Sequence, residues 1–164
     1  MEELQQKIVD GLKDKTVEHK LYARELTLTI REGDLMGVMQ SLRDKYGFNF
    51  FSDMQSIDHF RDKQRFEVSY NIMNLDAPSR IRVKTFVEED DPTVDSLVSV
   101  WPAADWNERE TFDMMGIKFR NHPDLRRMFL PEDFEYYPLR KEFPLIGIPG
   151  SIEMPDKEPP KPYN

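Results

Sequence analysis

Cysteine is absent from this chain of 164 residues, and histidine is scarce. Without cysteine the chain cannot form disulfides, hold an iron–sulfur cluster or a thiolate zinc site, or use a cysteine nucleophile. The three histidines, His19, His59 and His122, are not paired at metal-ligand spacing. No dinucleotide or phosphate loop is readable either, so we expect no cofactor or metal to be bound by this chain.

The chain also lacks a basic surplus and long apolar runs. Its net charge is −8 and its pI is about 5.0, the opposite of the basic footprint of a nucleic-acid binder. No run approaches the roughly 20 apolar residues of a transmembrane helix. The start, MEELQQKIVDGLKDK, has neither the order of a signal peptide nor the character of a mitochondrial presequence. We therefore expect a soluble cytoplasmic protein that reaches a membrane only through other proteins.

Charge is distributed unevenly along the chain. Acidic residues crowd the segment 88–95, whereas residues 118–141 carry six Lys or Arg against four acids. One basic segment in an acidic protein predicts a local charged contact, either with a partner or with the acidic loop.

Hydrophobic periodicity predicts the order of helices and strands. Apolar residues three and four apart indicate helices, and strict alternation indicates half-buried strands. Asp34 and Gly47 have the residue types of a helix N-cap and a helix stop. In chain order the predicted elements are a helix over 2–13, a strand over 25–32, a helix between Asp34 and Gly47, one strand or two broken strands over 48–60, strands over 65–72 and 79–88, a helical turn over 94–101 and a helix over 103–115.

This order predicts an α+β layered sandwich. The last three predicted strands form an antiparallel meander with one wet face, in a mostly antiparallel sheet with helices mainly on one face. A single domain over 1–142 is followed by an extended proline-rich C-terminal tail over 143–164, which holds half of the 12 prolines. The tail also carries Leu145, Ile146, Ile148, Ile152 and Met154, so we expect it to dock on a partner subunit.

The helix over 103–115 carries the triplet Glu108, Arg109 and Glu110, with Asp113 one turn later. At 3.6 residues per turn, charged and apolar side chains share its faces, so the helix should be buried on more than one side with its charges paired. Arg109 is the expected strut between Asp105 and Asp113. Glu108 and Glu110 point about 200° apart, which argues against a catalytic carboxylate pair.

Other candidate residues have a functional and an ordinary interpretation. His122 could sense pH or relay a proton, but a loop histidine that binds backbone groups is favoured. Asp58 and His59 cannot share a metal, because adjacent strand residues face opposite ways. Arg126 and Arg127 lack a phosphate loop beside them, which favours salt bridges.

These residues carry a family resemblance. The segments DWNERETFDMMGI and HPDLRRMFLPEDFEYYPLRKEFPL are similar to the signature region of the C subunit of NADH–quinone oxidoreductase, respiratory complex I. The shared pattern is Glu-Arg-Glu, Asp, Gly, His, a basic pair and Pro-Leu-Arg-Lys. In this chain the motif residues are Trp106, Glu108, Arg109, Glu110, Asp113, Gly116, His122, Arg126, Arg127, Pro138, Leu139, Arg140 and Lys141.

The resemblance implies a non-redox subunit of the peripheral arm, with no catalytic site of its own. It implies packing against the D subunit, which forms the quinone cavity with the B subunit, and a place on the cytoplasmic face of the cell membrane. Flavin and iron–sulfur clusters would lie in partner subunits. Related subunits of membrane-bound hydrogenases, F420-linked enzymes and photosynthetic complexes remain alternatives. The rivals from other classes are a free-standing small hydrolase that uses Glu108 or Asp113 and an adaptor domain unrelated to respiration.

Overall fold

The computed structural model describes residues 3–60 and 62–150. Three helices and seven strands follow one another along this part of the chain, with a short 3₁₀ turn at Glu32–Asp34. The helices are α1 Glu3–Gly11, α2 Leu35–Tyr46 and α3 Ala104–Met115, and the strands are β1 Thr16–Tyr22, β2 Glu25–Ile30, β3 Phe50–Asp58, β4 Phe66–Asn74, β5 Ser79–Val87, β6 Thr93–Asp95 and β7 Lys118–Arg120.

The first five strands form one sheet in the order β1-β2-β5-β4-β3. All neighbours are antiparallel except β2 and β5, which run parallel with Leu28 opposite Val83. The predicted meander of β3, β4 and β5 is confirmed, and so is the α+β class with a mostly antiparallel sheet. The expected strand over 48–60 is a single strand whose register shifts between Phe51 and Asp53.

One face of the sheet forms the core, and the other face is polar. Side chains that alternate along β2, β4 and β5, such as Leu28, Tyr70 and Val83, are buried with Ile8 of α1 and Leu42 of α2. Successive side chains of a strand point to opposite faces of the sheet, so the residues between the buried ones reach the polar face. There they form ion pairs across neighbouring strands. These pairs join Lys84 to Glu67 at 2.6 Å and Arg82 to Glu25 at 3.0 Å.

The predicted limits of the second helix are confirmed, although its N-cap works differently. Gly47 has a φ of 77°, and its amide donates to the Arg43 carbonyl, so glycine ends α2 in the left-handed region. Asp34 lies at the N-cap position but makes no capping bond. Its carboxylate instead accepts from Arg31 Nε at 3.0 Å.

Strand β1 was not predicted from the sequence. It pairs with β2 through a two-residue turn in which Ala23 and Arg24 have φ values of 48° and 67°. Such a turn usually contains asparagine or glycine, so this one gives no hairpin signal. As an exposed edge strand, β1 also lacks apolar alternation.

The prediction of a helical turn over 94–101 was partly wrong. Its first residues form β6, which pairs in parallel with β7 so that Val94 lies opposite Phe119. A turn does follow, in which the amides of Val100 and Trp101 donate to the Leu97 carbonyl. A short buried strand and a buried turn have the same apolar composition, so the sequence cannot distinguish them. The distinction comes from the pairing of β6 with β7 in the folded chain.

A segment without regular structure, residues 134–143, packs back on the domain, and we call it the strap. Phe134 is buried, and its ring lies 5.6 Å from that of Tyr136 and 6.5 Å from that of Phe143. Beyond the strap, Leu145 and Ile146 are fully exposed. The rest of the predicted tail, residues 151–164 with Ile152 and Met154, lies outside the described residues.

Among residues 3–60 and 62–150, no helix combines the length and the apolar character needed to span a membrane.

Candidate functional site

Glu108 is buried in the first half of α3, against the turn that follows β6. Its side chain is 0 % exposed, and its Oε1 accepts a hydrogen bond from the Leu97 amide at 2.6 Å. Burial raises the pKa of this carboxyl to about 7, and the nearby charge of Asp105 acts in the same direction. The opposing contribution of the Ser96 hydroxyl, which binds the carboxylate, is smaller.

His122 lies beside Glu108, at the start of the loop that follows β7. Its side chain is 0 % exposed, and its Nδ1 accepts a hydrogen bond from the Asp124 amide at 3.0 Å. The favoured interpretation, a histidine that binds a backbone group, is therefore confirmed. Its Nε2 lies 3.1 Å from Asp105 Oδ1 and 3.9 Å from Glu108 Oε2, which places both acids against the ring.

Asp113, also 0 % exposed, holds the loop 127–130 against the second half of α3. Its Oδ2 accepts from the amides of Met128, Phe129 and Leu130 at 2.9, 2.7 and 3.1 Å. Its Oδ1 accepts from Arg127 Nη1 at 2.8 Å. Burial alone would raise the pKa of Asp113, but the three amides and Arg127 together hold it below the ordinary value.

The prediction that Arg109 is a strut between two aspartates was wrong. Its Nε donates to the Arg126 carbonyl at 3.2 Å, and its guanidinium lies 5.2 Å from the centre of the Trp106 ring. Asp105 contacts His122, and Asp113 binds Arg127. Helical spacing identified possible partners within α3, whereas residues from a later loop took their place.

Glu108 and Glu110 lie on different sides of α3, as predicted from their spacing. Glu108 is fully buried, whereas Glu110 is exposed. The buried charges of α3 confirm that the helix is covered on more than one side: Glu108 contacts the turn after β6, and Asp113 contacts the loop 127–130.

The basic segment 118–141 is mostly occupied inside the domain rather than free for a partner. Arg127 binds Asp113, and Arg126 forms an exposed pair with Asp124 at 2.6 Å. Of the two alternatives expected for these arginines, a partner or the acidic loop 88–95, the structure does not show the contact with the loop. Arg120 makes that contact instead, because it binds Asp95 as well as Glu32.

Pro-Leu-Arg-Lys, in the strap, closes the C-terminal end of α3. The Leu139 amide donates to the Met114 carbonyl at 3.1 Å, and Arg140 Nε donates to the Met115 carbonyl at 2.8 Å. These carbonyls belong to the last turn of a helix, which has no partners within the helix. The Lys141 amide donates to Asp58 Oδ2 at 2.8 Å, so three consecutive residues attach the strap.

Gly116 allows the strap to approach the helix. Its φ is 74°, and its amide donates to the Phe112 carbonyl. A Cβ atom at this position would lie 2.7 Å from carbon atoms of the Tyr137 ring and 2.7 Å from Arg140 Nη2. Both the left-handed backbone and the close contact require glycine here.

A buried arginine that the sequence analysis missed also holds the strap. Arg65 is 2 % exposed and binds Asp58 through Nε and Nη2, each at 2.8 Å. It also binds Glu89 and Glu142. Asp58 and Arg65 flank the β3–β4 turn, so an acid and a base at the two ends of a predicted hairpin were the available signal.

Three apolar side chains beside α3 remain more than half exposed: Trp106, Phe129 and Leu139. We call them the α3 surface. Trp106 lies on the first turns of the helix, Phe129 beside Asp113 and Leu139 at the C-terminal end. The backbones of Phe129 and Leu139 are held by the hydrogen bonds described above, and Trp106 belongs to α3 itself, so these exposed side chains stand on a fixed base. Large exposed apolar groups of this kind make the α3 surface a candidate for contact with another protein.

No group of three or more His, Asp or Glu in the part of the chain that the structure describes is arranged to hold a metal ion. The acids with the strongest burial, Glu108 and Asp113, are closed to substrates by the same packing that holds them. What the geometry does show is a set of internal polar bonds that position exposed apolar side chains.

Residues 28–148 match the family described as "Respiratory-chain NADH dehydrogenase, 30 Kd subunit". The chain is 40% identical over 138 residues to the C subunit of the NADH-quinone oxidoreductase of Citrifermentans bemidjiense, covering 84% of this chain and 81% of that protein. The fold and these likenesses define a component of a respiratory NADH dehydrogenase. The chain belongs to the family of the NADH–quinone oxidoreductase C subunit.

Solved structures show the same fold. The trypsin-resistant fragment (1–134) of Nqo5 superposes with a TM-score of 0.66 at 25% identity, covering 74% of this chain and 99% of that chain. A chain of the membrane-bound sulfane sulfur reductase, an archaeal respiratory membrane complex, gives a TM-score of 0.75 at 20% identity, covering 88% of this chain and 85% of its own. The second likeness concerns the fold alone.

Proposed function

We propose that this chain is a non-redox structural subunit of the peripheral arm of a proton-translocating NADH–quinone oxidoreductase. In this role it packs against the D subunit, which we call the quinone-site subunit, and it reaches the cytoplasmic face of the cell membrane only through the complex. It binds no cofactor itself, and flavin and iron–sulfur clusters lie in partner subunits. Family membership and the absence of cysteine support this role.

The observation that carries the proposal is the α3 surface on its fixed base. Asp113 binds three consecutive amides and so fixes the backbone around Phe129, while the side chain of Phe129 is 62% exposed. A side chain whose backbone is already ordered loses less entropy on binding. Buried aromatic anchors also dominate the binding energy of many interfaces.

The C-terminal tail supplies a second contact in this proposal. The strap is attached to the domain at Lys141 and Glu142. Soon after it, the side chains of Leu145 and Ile146 are fully exposed. Proline stiffens the chain beyond them. Phe143 packs on the domain, so we expect the chain from Pro144 onward to lie along the partner, with the exposed Arg126 and Lys141 affecting mainly the rate of association.

A related membrane-bound assembly, such as a hydrogenase-type complex, is the second candidate. This candidate is retained because a chain of the sulfane sulfur reductase, another respiratory membrane complex, has the same fold. A free-standing hydrolase is disfavoured, since Glu108 and Asp113 are 0 % exposed.

The test is a pull-down of the tagged full chain from native membranes, followed by mass spectrometry and by absorption spectra of the purified chain. We expect the quinone-site subunit among the captured proteins and no flavin or iron–sulfur absorption in the chain alone. The double variant Trp106→Ala/Phe129→Ala should capture less of it, whereas Ile57→Ala, which is exposed on β3, should capture as much as the wild type. Capture without the quinone-site subunit, or a stoichiometric chromophore, would contradict the proposal.

A further inference from the structure

Strand β1 is an edge of the five-stranded sheet, and its outer side is open. It pairs with β2 on one side, and no other strand of the described chain pairs with it. Six of its seven residues are exposed, and the apolar side chains of Val17, Leu21 and Tyr22 are 63%, 39% and 76% exposed. An edge strand of this kind, with unpaired backbone groups beside apolar side chains, is a template for pairing with another strand.

The β1–β2 hairpin determines which backbone groups of β1 are unpaired. The turn after Tyr22 has two residues, and both have a positive φ. The strand pair that flanks such a turn is hydrogen-bonded, and bonded and unbonded pairs then alternate along the hairpin. The amides and carbonyls of Tyr22, Lys20 and Glu18 therefore point toward β2. Those of His19 and Leu21 point to the open side, where a second strand can bind them.

The sequence of β1 complements itself in one antiparallel register. In a symmetric pair of identical strands, each contact between two different residues occurs twice. If His19 lies opposite His19 of the second copy, Glu18 lies opposite Lys20, and Val17 lies beside Leu21. This register also brings the unpaired backbone groups of His19 in both copies together. If the symmetry axis passed through Glu18 or Lys20 instead, two like charges would lie directly opposite each other, which destabilises a strand pair.

We propose that a second copy of this chain pairs antiparallel with β1 about His19, so that two free chains form a symmetric dimer with one continuous sheet. Glu18 and Lys20 lie opposite Thr29 and Thr27 of β2, on the polar face of the sheet. Across the new strand pair they form an unbonded pair, in which the side chains approach most closely. Neither has an ion-pair partner within the described part of its own chain, so both charges are available to the second copy.

Two features limit the strength of this contact and separate it from the α3 surface. The register of β1 shifts between Thr16 and Glu18, so regular pairing is confined to the residues from Glu18 onward. A contact this small gives a weak, reversible dimer. Helix α3 packs against β3, which is the opposite edge of the sheet. The dimer is therefore independent of the proposed docking function, and the failure of one proposal leaves the other standing.

The first measurement is sedimentation of the full chain over a range of concentrations at pH 7. We expect a reversible equilibrium between monomer and dimer. Glu18→Lys and Lys20→Glu should each raise the dissociation constant on the order of tenfold, because two attractive cross-strand pairs become repulsive. The double variant Glu18→Lys/Lys20→Glu should restore the wild-type value. Both residues are exposed, so these variants should fold as the wild type does.

The charge variants also distinguish this register from a general effect of net charge. The two single variants change the net charge in opposite directions, so a general charge effect would not weaken both dimers. Glu110→Lys, which makes the same charge change at an exposed position of α3, should keep a dissociation constant close to that of the wild type. A monomer at every concentration, or a dimer that either β1 variant leaves unweakened, would overturn the proposal.

The second measurement locates the contact by cross-linking. The chain has no cysteine, so a single introduced thiol reports on one position. His19→Cys places two thiols at the symmetry axis, where the facing Cα atoms of a hydrogen-bonded pair are about 5.5 Å apart. A short bifunctional thiol reagent should link this variant into a covalent dimer. Gln55→Cys, at an exposed position on β3, is the control and should remain monomeric. Equal cross-linking of both variants, or none in His19→Cys, would contradict the pairing through β1.

Discussion

Arg127 Nη1 lies 2.8 Å from Asp113 Oδ1, and the two residues are 14 positions apart in the chain. The same carboxylate binds the three amides that follow Arg127, so one buried charge orders an entire loop. Such a carboxylate is satisfied through charge-assisted bonds, which are stronger than neutral ones. The loop in turn carries Phe129, which is 62% exposed.

Replacing Asp113 should therefore destabilise the domain. Asp113→Asn keeps one acceptor oxygen but removes the charge that Arg127 and the amides share. Breaking a buried pair costs about 3–5 kcal/mol, and we expect a loss at the lower end because Arg127 is partly exposed. Urea unfolding at pH 7 measures it. Arg109→Ala is the control, and it should cost less because Arg109 binds a carbonyl on the surface rather than an aspartate. If both variants lost the same free energy of unfolding, Arg109 would stabilise the domain as much as Asp113 does, which would contradict this account.

A methyl group at Gly116 should loosen the strap. Gly116→Ala places an L-residue in the left-handed region, which costs about 1–2 kcal/mol, and brings its Cβ within 2.7 Å of the Tyr137 ring. Gly33→Ala is the matched control, because nothing lies within 4 Å of a Cβ there and its φ is not positive. Hydrogen exchange of the Leu139 amide, which donates to the Met114 carbonyl, reports on the strap. The exchange of this amide should be faster in Gly116→Ala and unchanged in Gly33→Ala. Unchanged protection in Gly116→Ala would contradict a close contact between Gly116 and the strap.

The Asp58–Arg65 pair should make stability sensitive to acid. Hydrogen bonds from Arg65 and from the amides of Lys141 and Phe60 hold the pKa of Asp58 far below its ordinary value, despite the opposing effect of burial. A depressed pKa contributes stability that is present above the unfolded pKa and is lost as pH falls below it. The free energy of unfolding should drop between about pH 5 and pH 2 in the wild type. Asp58→Asn should be less stable at pH 7 and flatter across this window. The control is Asp53→Asn, on the same strand, whose free energy of unfolding should depend on pH as in the wild type. If Asp58→Asn lost stability in acid as steeply as the wild type, the Asp58–Arg65 pair would not be the cause.

Removing the exposed tail should separate folding from docking. A chain that ends at Pro144 keeps Phe143, whose ring lies near those of Phe134 and Tyr136, and loses Leu145 and Ile146. We expect its melting temperature to stay close to that of the full chain, because Leu145 and Ile146 are fully exposed. Its affinity for the quinone-site subunit should fall, as calorimetry or surface plasmon resonance with the purified partner can show. A large thermal loss with unchanged affinity would mean that the tail belongs to this domain.

Much of the fold could be predicted, because a buried face imposes a regular apolar spacing on the sequence. Helix α2 has apolar side chains on one face and a glycine stop, and β4 and β5 alternate toward the core. Strand β1 has no such period, since six of its seven residues are exposed. Its hairpin turn uses non-glycine residues with positive φ, which no turn rule selects.

The candidate site was predictable only in its location. The mixed faces of α3 correctly indicated buried charges on more than one side. The partners were not predictable, because Arg109 lies at helical spacing from Asp113 whereas Arg127 reaches it through the tertiary fold. Local spacing limits which residues can meet within a helix, but it cannot rank them against a loop that folds over the same face.

The most direct test of the assembly role measures two quantities in one strain. A strain that lacks this protein is complemented with Trp106→Ala/Phe129→Ala, and assembled complex on native gels is quantified beside NADH–quinone activity. We predict less assembled complex and an unchanged activity per assembled complex, because the α3 surface holds the protein in place and takes no part in the reaction. Full assembly with reduced activity per complex would contradict this account and would place the protein in the reaction itself.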